Sequence, residues 1–233
     1  LSATHKIAPL KRTNKSTYTY KLRVNIMKAM IIKEIGSTDV FQIAEKAKPV
    51  AKAGHMVVAV KATSVNPIDT MLRSVELPWS ANLPEVLHGD VAGIVVELGD
   101  DATDFNVGDE VYGMAGGING VDGALAEFML VDARLMAKKP KTLTMKQAAA
   151  LPLVAITAYE ALIEKMNVKA GDKVLVHGAT GGVGHIAVQL AKVLGAKVTS
   201  TYSPANEALA KTVGADNLVD YTTESVADYV QTY

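Results

Sequence analysis

The spacing of hydrophobic residues changes along the chain, from short runs to helical periodicity. In the first part, apolar or alternating segments lie between turn residues, which is typical of strands. The predicted strands span residues 28–34, 55–64, 91–98, 108–113 and 124–131. From Thr144 to Lys165 the spacing is helical, with one break at Pro152. We therefore predict a β-rich, partly closed barrel over residues 27–150 and an α/β domain over residues 151–233.

The predicted α/β domain opens with a strand, a glycine-rich turn and a helix. Residues 174–177 form a short apolar run typical of a buried parallel strand, and residues 178–182 supply a sharp turn. Apolar residues then recur at helical spacing, which predicts a helix with one buried face. These residues are Val183, Ile186, Ala187, Leu190, Ala191 and Leu194. A second strand at 197–202, a short helix at 206–213 and a third strand at 217–220 follow.

The glycine turn has the pattern of a dinucleotide-binding fingerprint, with alanine in the first glycine position. It reads Ala179-x-Gly181-x-x-Gly184, with Gly182 and Val183 inside it. Unpaired N–H groups and the positive end of the helix dipole can hold a pyrophosphate there. A turn that binds no ligand is the alternative. The flanking strand and helix favour the dinucleotide-binding interpretation, so we predict that these five residues bind a dinucleotide cofactor.

The overall composition excludes several classes of protein. Basic and acidic residues balance at 24 each, and the 233 residues include no cysteine. Disulfides and thiolate metal sites are therefore excluded from this sequence, which fits a reducing compartment, and we predict a cytoplasmic protein. No run of about 18 uncharged apolar residues occurs, so we expect no membrane span.

Residues 1–26 differ from the rest because they are basic and contain no acid. Their basic residues are Lys6, Lys11, Arg12, Lys15, Lys21 and Arg23. A disordered tail, a targeting peptide and translated sequence upstream of a true start at Met27 are the alternatives. We favour the last, because residue 1 is not methionine and residues 27–32 look like an opening strand. No motif supports a nucleic-acid-binding arm, so we expect no nucleic acid partner.

Segments typical of one known family occur here in the family's order. They read S-V-N-P-I-D at 64–69, H-G-D-V-A-G-I-V at 88–95, V-G-D-E-V-Y-G at 107–113, A-A-A-L-P-L-V-A-I-T-A-Y at 148–159 and A-T-G-G-V-G at 179–184. The chain resembles the medium-chain dehydrogenase/reductases, most closely their zinc-free quinone oxidoreductase (ζ-crystallin-like) branch. The resemblance implies an α/β fold, with a GroES-like β-rich catalytic domain before a Rossmann (doubly wound parallel) domain. It also implies a cleft between them for NADP(H) and substrate, and we expect the full-length protein to be a homo-oligomer.

The C-terminal segment resembles only the first half of a Rossmann domain. A complete domain has six strands in two halves, whereas we count three, the last ending at Asp220, before a helix begins near Thr223. We therefore expect the first of these strands to form an open edge of the sheet. We also expect weak cofactor binding and little turnover from residues 1–233 alone.

The zinc-ligand positions of the superfamily's alcohol dehydrogenases carry other residues here. Asn66 stands in the place of the cysteine and Gly89 in that of the histidine, with His88 one residue out of register. Neither Asn66 nor Gly89 suits zinc, so we predict no metal site. Alcohol oxidation is unfavourable without a Lewis acid, and the resemblance implies hydride transfer from NADPH to a quinone or an activated C=C bond. The alternatives are an enone or enoyl reductase and a catalytically weak nucleotide-binding (crystallin- or RNA-binding-like) protein.

Asn66, Asp69 and Thr157 are the predicted catalytic residues. The Asn66 amide could donate to the developing oxyanion of the substrate, or it could merely cap the turn before Pro67. The resemblance implies that Asp69 is a retained site residue and that Thr157 contacts the nicotinamide. The Thr157 hydroxyl could instead bond back to its own helix.

The remaining cofactor contacts predict NADPH rather than NADH. NAD-specific proteins place an acid about 20 residues after the fingerprint, but residues 200–203 read S-T-Y-S and no acid precedes Glu207. Ser200 and Ser203 could donate to a 2′-phosphate, and Tyr221 matches a tyrosine at the adenosine end in relatives. By the same resemblance, the residues beside the nicotinamide ribose are Ile68, Thr70 and Met71, with Met71 in the place of the family's usual tyrosine.

Overall fold

The computed structural model describes residues 25–76, 78 and 82–230, so most of the predicted basic leader lies outside the described residues. The N-terminal part contains antiparallel sheets, and the C-terminal part contains a parallel sheet. This change of sheet type follows the predicted order of a β-rich domain and an α/β domain.

The N-terminal part is formed by strands and one short helix. They are β1 (Ile26–Ile31), β2 (Gln42–Ala47), β3 (His55–Thr63), helix α1 (Pro67–Ser74), β4 (Asp90–Leu98), β5 (Glu110–Met114), β6 (Phe128–Asp132) and β7 (Met136–Lys138). Strands β1 and β2 form a hairpin, and the others form a five-stranded sheet in the order β6-β3-β4-β5-β7. A bridge between Ala29 and Ala126 joins the hairpin to the chain that leads into β6.

Strand β3 pairs along both of its edges. It is antiparallel to β4 and to β6, and its register with β4 shifts after Val57 and after Val60. Such irregularities bend a strand and increase its twist, which helps a sheet to curl around its own core. The core beneath the sheet contains Met56, Val58, Val91, Val95, Val111, Met129 and Val131.

The C-terminal part begins with helices and continues as a βα unit. Its elements are α2 (Met145–Ala149), α3 (Pro152–Tyr159), β8 (Lys173–Val176), α4 (Gly182–Val193), β9 (Lys197–Tyr202), α5 (Glu207–Thr212), β10 (Asn217–Asp220) and α6 (Val226–Val230). The parallel sheet has the order β10-β9-β8, and β8 is an edge among the described residues, as expected. Among the residues that the structure describes, no helix is long and apolar enough to cross a membrane.

Helices α2 and α3 pack against different parts of the molecule. The side chains of Ala148 and Ala149 pack with Ala92 of the five-stranded sheet. Helix α3 continues as a π-helical turn from Glu160 to Lys165, and Ala158 belongs to the core of the parallel sheet. The change of packing partner therefore lies near the predicted boundary between residues 150 and 151.

Four elements differ from the sequence-based expectation. Helix α1 occupies a segment that we interpreted as a turn at Asn66-Pro67, because proline is also well suited to the first position of a helix. Strands β2 and β7 were not predicted, and β6 begins at Phe128, later than the predicted start at residue 124.

Candidate active site and cofactor cradle

The glycine turn after β8 is fixed by hydrogen bonds to the neighbouring strand. The N–H of Gly178 donates to Oγ1 of Thr201 at 2.9 Å, and the N–H of Ala179 donates to the Thr201 carbonyl oxygen at 2.8 Å. Gly178 has a φ of 78°, which is the left-handed region that glycine adopts most easily. The chain can therefore turn sharply at the carboxyl end of β8 and enter α4.

The first turn of α4 offers a site for an anion. Gly181 is the N-terminal cap, and no side chain among the described residues caps the helix. The first N–H groups of a helix have no acceptor inside it, and Gly181, Gly182 and Val183 are exposed. This end of the helix therefore presents free donors and positive partial charge to solvent, as a pyrophosphate requires.

Gly184 allows α4 to lie directly against the turn. A Cβ atom at this position would be 1.9 Å from the carbonyl oxygen of Gly178. No side chain can occupy that space, so glycine is required for the close approach of helix and turn. The fingerprint residues therefore lie in one compact turn, and their binding of a pyrophosphate stays a prediction.

The predicted adenosine-end residues lie at the same edge of the parallel sheet. Tyr202 at the end of β9 is paired with Asp220 at the end of β10. Ser203 and Tyr221 directly follow these strand ends, with Ser203 half-buried and Tyr221 exposed. Since the carboxyl ends of parallel strands share one edge, both residues lie on the side of the glycine turn.

Ser200 does not belong to this group. It is fully buried, and its hydroxyl donates to the Val176 carbonyl oxygen at 2.6 Å. The side chain therefore joins β9 to β8 and has no free hydrogen for a 2′-phosphate. This geometry corrects the prediction for Ser200.

Four buried polar residues gather where α1 meets the start of β4. They are Asn66, Asp69, His88 and Asp90. The backbone N–H of Asn66 donates to Oδ2 of Asp69 at 2.7 Å, which satisfies a donor at the start of α1. The Asn66 amide nitrogen donates to Oδ2 of Asp90 at 2.9 Å and to Oγ of Ser64 at 3.1 Å. Because Ser64 Oγ and Asp90 Oδ2 are themselves only 2.7 Å apart, both acceptors lie in the direction of one amide hydrogen, and the other hydrogen points away from them.

Asp90 is a residue of this cluster that is not among the predicted site residues. It is completely buried, and its Oδ1 accepts the backbone N–H of Leu153 at 3.0 Å. Its Oδ2 accepts the Ser64 hydroxyl at 2.7 Å in addition to the Asn66 amide. An acidic residue at the head of an otherwise apolar strand was the available signal, because such a residue is seldom buried without partners.

His88 lies beside the two acids in a strained backbone conformation. Its φ is 71°, and its Nδ1 is buried without a hydrogen-bond partner in the described structure. Burial lowers the pKa of His88, while the nearby Asp69 and Asp90 act in the opposite direction. Burial raises the pKa of Asp69, although the Asn66 N–H and His88 oppose this shift. Among the residues that the structure describes, no group of three or more His, Asp or Glu is arranged to hold a metal ion.

The predicted nicotinamide contacts lie on α1 and α3. Thr157 is exposed, and its hydroxyl donates to the Leu153 carbonyl oxygen at 2.8 Å, as in the alternative interpretation of this residue. Thr70 makes the same kind of bond to Pro67, also at 2.8 Å. Ile68 is half-buried in an apolar cluster, whereas Met71 is 44% exposed. Thr157, Thr70 and Met71 are therefore accessible to a ligand, and their contacts with a cofactor stay predictions.

Two parts of the chain match known domain families. Residues 52–141 match the family described as alcohol dehydrogenase GroES-like domain, and residues 182–233 match the family described as zinc-binding dehydrogenase. The first match covers the whole five-stranded sheet, and the second begins at the exposed start of α4. The order of the two domains agrees with the resemblance found in the sequence.

Two curated proteins to which the chain is similar are oxidoreductases by name. The chain is 37% identical over 215 residues to the NADPH-dependent alkenal/one oxidoreductase, chloroplastic, of Arabidopsis thaliana, covering 89% of this chain and 55% of that protein. It is 37% identical over 177 residues to the quinone oxidoreductase of Homo sapiens, covering 76% of this chain and 53% of that protein. A crystal structure of an alcohol dehydrogenase superfamily protein from Novosphingobium aromaticivorans has a TM-score of 0.81 and 37% identity, covering 89% of this chain and 62% of that one. The chain thus spans about half the length of the curated relatives it matches.

Proposed function

This chain belongs to the medium-chain dehydrogenase/reductase superfamily, and we propose that the whole protein is an NADPH-dependent reductase. Its substrate would be a quinone or a compound with an activated C=C bond. One observation carries this proposal: the close contact of Gly184 with Gly178 leaves the start of α4 open for a pyrophosphate. The names of the two relatives described above support this substrate class. One is named an alkenal/one oxidoreductase and the other a quinone oxidoreductase.

Bound NADPH would supply the hydride, and the protein would supply binding, orientation and electrostatic stabilisation. The N–H groups at the start of α4 would hold the pyrophosphate. Ser203 and Tyr221 would lie near the adenosine end, because both follow the strand ends on that side. Thr157, Ile68, Thr70 and Met71 would surround the nicotinamide riboside from α3 and α1.

The protein would stabilise the reduced product through neutral hydrogen-bond donors. When hydride adds to an enone or quinone, negative charge develops on the carbonyl oxygen. The Asn66 amide is the proposed donor, and Asp69 holds the backbone N–H of Asn66 at the start of α1. The amide hydrogen that points away from Ser64 and Asp90 would donate to the substrate, so both present contacts of the amide could be kept.

We further propose that the reaction needs no zinc. Gly89 has no side chain to offer a metal, and the sequence contains no cysteine.

The preference for NADPH over NADH rests on Ser203 and on the absence of an acid between the fingerprint and Glu207. Cytoplasmic location and homo-oligomeric assembly remain proposals for the full-length protein.

The decisive experiment uses full-length protein and follows nicotinamide absorbance at about 340 nm, the ordinary band of reduced nicotinamide. A panel of quinones, enals and enones is offered with NADPH and then with NADH. Reduction of at least one panel member, with higher kcat/KM for NADPH, would support the proposal. Tight NADPH binding without reduction of any of them would favour the nucleotide-binding alternative and contradict the proposed reductase.

A further inference from the structure

One buried carboxylate joins three segments that are distant in sequence. Asp90 stands at the start of β4, and it accepts hydrogen bonds from Ser64, Asn66 and Leu153. Its own carbonyl oxygen also accepts the Thr63 hydroxyl at 2.7 Å. The side chain is fully buried, so these bonds are not weakened by exchange with water.

The bond to Leu153 fixes the beginning of α3. Pro152 is the first residue of this helix and has no N–H, and no side chain of the helix cap makes a hydrogen bond. The Leu153 N–H is therefore an early donor of the helix that needs an outside acceptor. A carboxylate is well suited to this position, because it also lies at the positive end of the helix dipole.

Helix α3 in turn connects this carboxylate to the cofactor cradle. Val154, the next residue, packs beside the start of α4, and a Cβ on Gly182 would lie 3.4 Å from Val154 Cγ1. Thr157, the proposed nicotinamide contact, is one turn further along α3. A continuous series of contacts therefore runs from the Asn66 amide through Asp90 and α3 to the pyrophosphate site.

We propose that Asp90 is a positioning residue that sets the distance between the Asn66 amide and the nicotinamide-binding face of α3. This inference rests on the proposed function for its cofactor. In this role Asp90 contacts neither substrate nor cofactor. Its carboxylate acts only through Asn66 and Leu153. An amide cannot replace it, because an asparagine side chain at position 90 leaves one of those two donors without its acceptor in either orientation.

The test compares D90N with wild type in the full-length protein. We expect the Leu153 amide to exchange with solvent at least about tenfold faster in the variant, since its acceptor is lost or weakened. The fluorescence enhancement of NADPH on binding, which reports how its nicotinamide is seated, should fall. Affinity for 2′,5′-ADP, which occupies only the adenosine end, should stay within about twofold.

Asp216→Asn is the matched control, because Asp216 also holds a backbone N–H with its carboxylate. Its Oδ2 accepts from Val198 at 2.6 Å, and it pairs with Lys192 at 2.7 Å. This variant should lower the melting temperature and leave both NADPH fluorescence and 2′,5′-ADP affinity unchanged. A protein that is merely destabilised would behave like D216N, with loss of folding but normal nicotinamide seating in the folded fraction.

The double variant N66D/D90N exchanges donor and acceptor between the two residues. The amide introduced at position 90 could then accept from the Leu153 N–H and donate to the carboxylate introduced at position 66. The exchange rate of Leu153 and the NADPH fluorescence should therefore move back toward wild type. Turnover need not recover, because Asn66 itself is the proposed donor to substrate. Recovery of the binding signals without turnover would separate positioning from catalysis.

Other results would overturn the inference. Unchanged Leu153 exchange and NADPH fluorescence in D90N would show that Asp90 sets no distance at the site. Parallel loss of 2′,5′-ADP and nicotinamide binding would show a general structural role instead. Wild-type protein that binds NADPH but reduces no acceptor would contradict the proposed function alone, because the exchange and fluorescence measurements require no acceptor. Wild-type protein that binds neither ligand would contradict both.

Discussion

The carbonyl oxygen of Gly178 occupies the space that a Cβ on Gly184 would need, with only 1.9 Å between the two positions. The turn after β8 and the first turn of α4 are thus packed backbone against backbone. The neighbouring Gly182 is not restricted in this way, since a Cβ there would make an ordinary contact with Val154 at 3.4 Å. The two glycines therefore make opposite predictions for the same substitution.

Gly184→Ala should separate α4 from the turn and distort the pyrophosphate site. Overpacking of this kind typically costs about 1–3 kcal/mol of unfolding free energy, and NADPH affinity should fall at least about tenfold, since misplaced N–H groups lose their bonds to phosphate. Gly182→Ala should change stability by less than about 1 kcal/mol. Thermal unfolding and NADPH titration of the full-length variants test this. Equal affinity in the two variants would contradict the proposed cradle.

Ser203→Ala and Ser200→Ala should affect different properties. Loss of the Ser203 hydroxyl should reduce the ratio of kcat/KM for NADPH over NADH by up to about tenfold, the value of one hydrogen bond to a charged group. Loss of the buried Ser200 hydroxyl leaves the Val176 carbonyl oxygen without its donor and should cost about 1 kcal/mol of stability. Its cofactor ratio should stay that of wild type. A changed ratio in S200A with an unchanged one in S203A would contradict the geometry.

His88 should make the protein less stable as the pH falls. Burial places its folded-state pKa below the unfolded value of about 6.5. Unfolding therefore takes up a proton, and the free energy of unfolding decreases from about pH 7.5 downward until the folded-state pKa is passed. The loss amounts to about 1.4 kcal/mol for each unit by which the two pKa values differ.

Urea unfolding of wild type and H88N between about pH 8 and pH 5.5, a range spanning the ordinary histidine pKa, tests this. Asparagine tolerates the positive φ at position 88 and does not titrate. The raised pKa of Asp69 has the opposite effect on the free energy of unfolding, which it increases as the pH falls. Wild type and H88N both contain Asp69, so this contribution is present in both profiles. H88N should therefore have the flatter profile, and identical slopes would contradict a buried neutral His88.

Zinc should be absent from the purified full-length enzyme. We expect well below one equivalent per chain by elemental analysis of protein prepared without a histidine tag, and no loss of activity with a chelator. One equivalent of zinc that is lost on substituting Asp69 or His88 would show that these residues form a metal site after all.

Local patterns were sufficient to predict the parallel sheet. Residues 197–202 and 217–220 coincide with β9 and β10, because each is a short apolar or β-branched segment near a glycine. The glycine turn could also be predicted, because the residues that form it are adjacent in the sequence. The misassigned α1 shows the limit of such reasoning, because the same Asn-Pro pair can open a turn or a helix.

The parts of the site that were not predicted depend on distant partners. The acceptor role of Asp90 involves residues 64, 66 and 153, which only the fold brings together. Ser200 was misjudged for a related reason: β9 is buried on both faces, so no alternation marks which side chains point to solvent. Local sequence patterns therefore predict the order of the helices and strands, whereas the orientation of a single polar side chain depends on tertiary packing.

The pairing of β3 on both of its edges has a consequence for biosynthesis. Its pairing is complete only when β6, which ends at Asp132, has been made, although β3 itself ends at Thr63. A nascent chain must therefore carry the apolar segment 56–60 without its second partner strand while the intervening residues are translated. Such segments are prone to aggregate, so we expect chaperones to act during synthesis of this first half rather than after the parallel sheet forms.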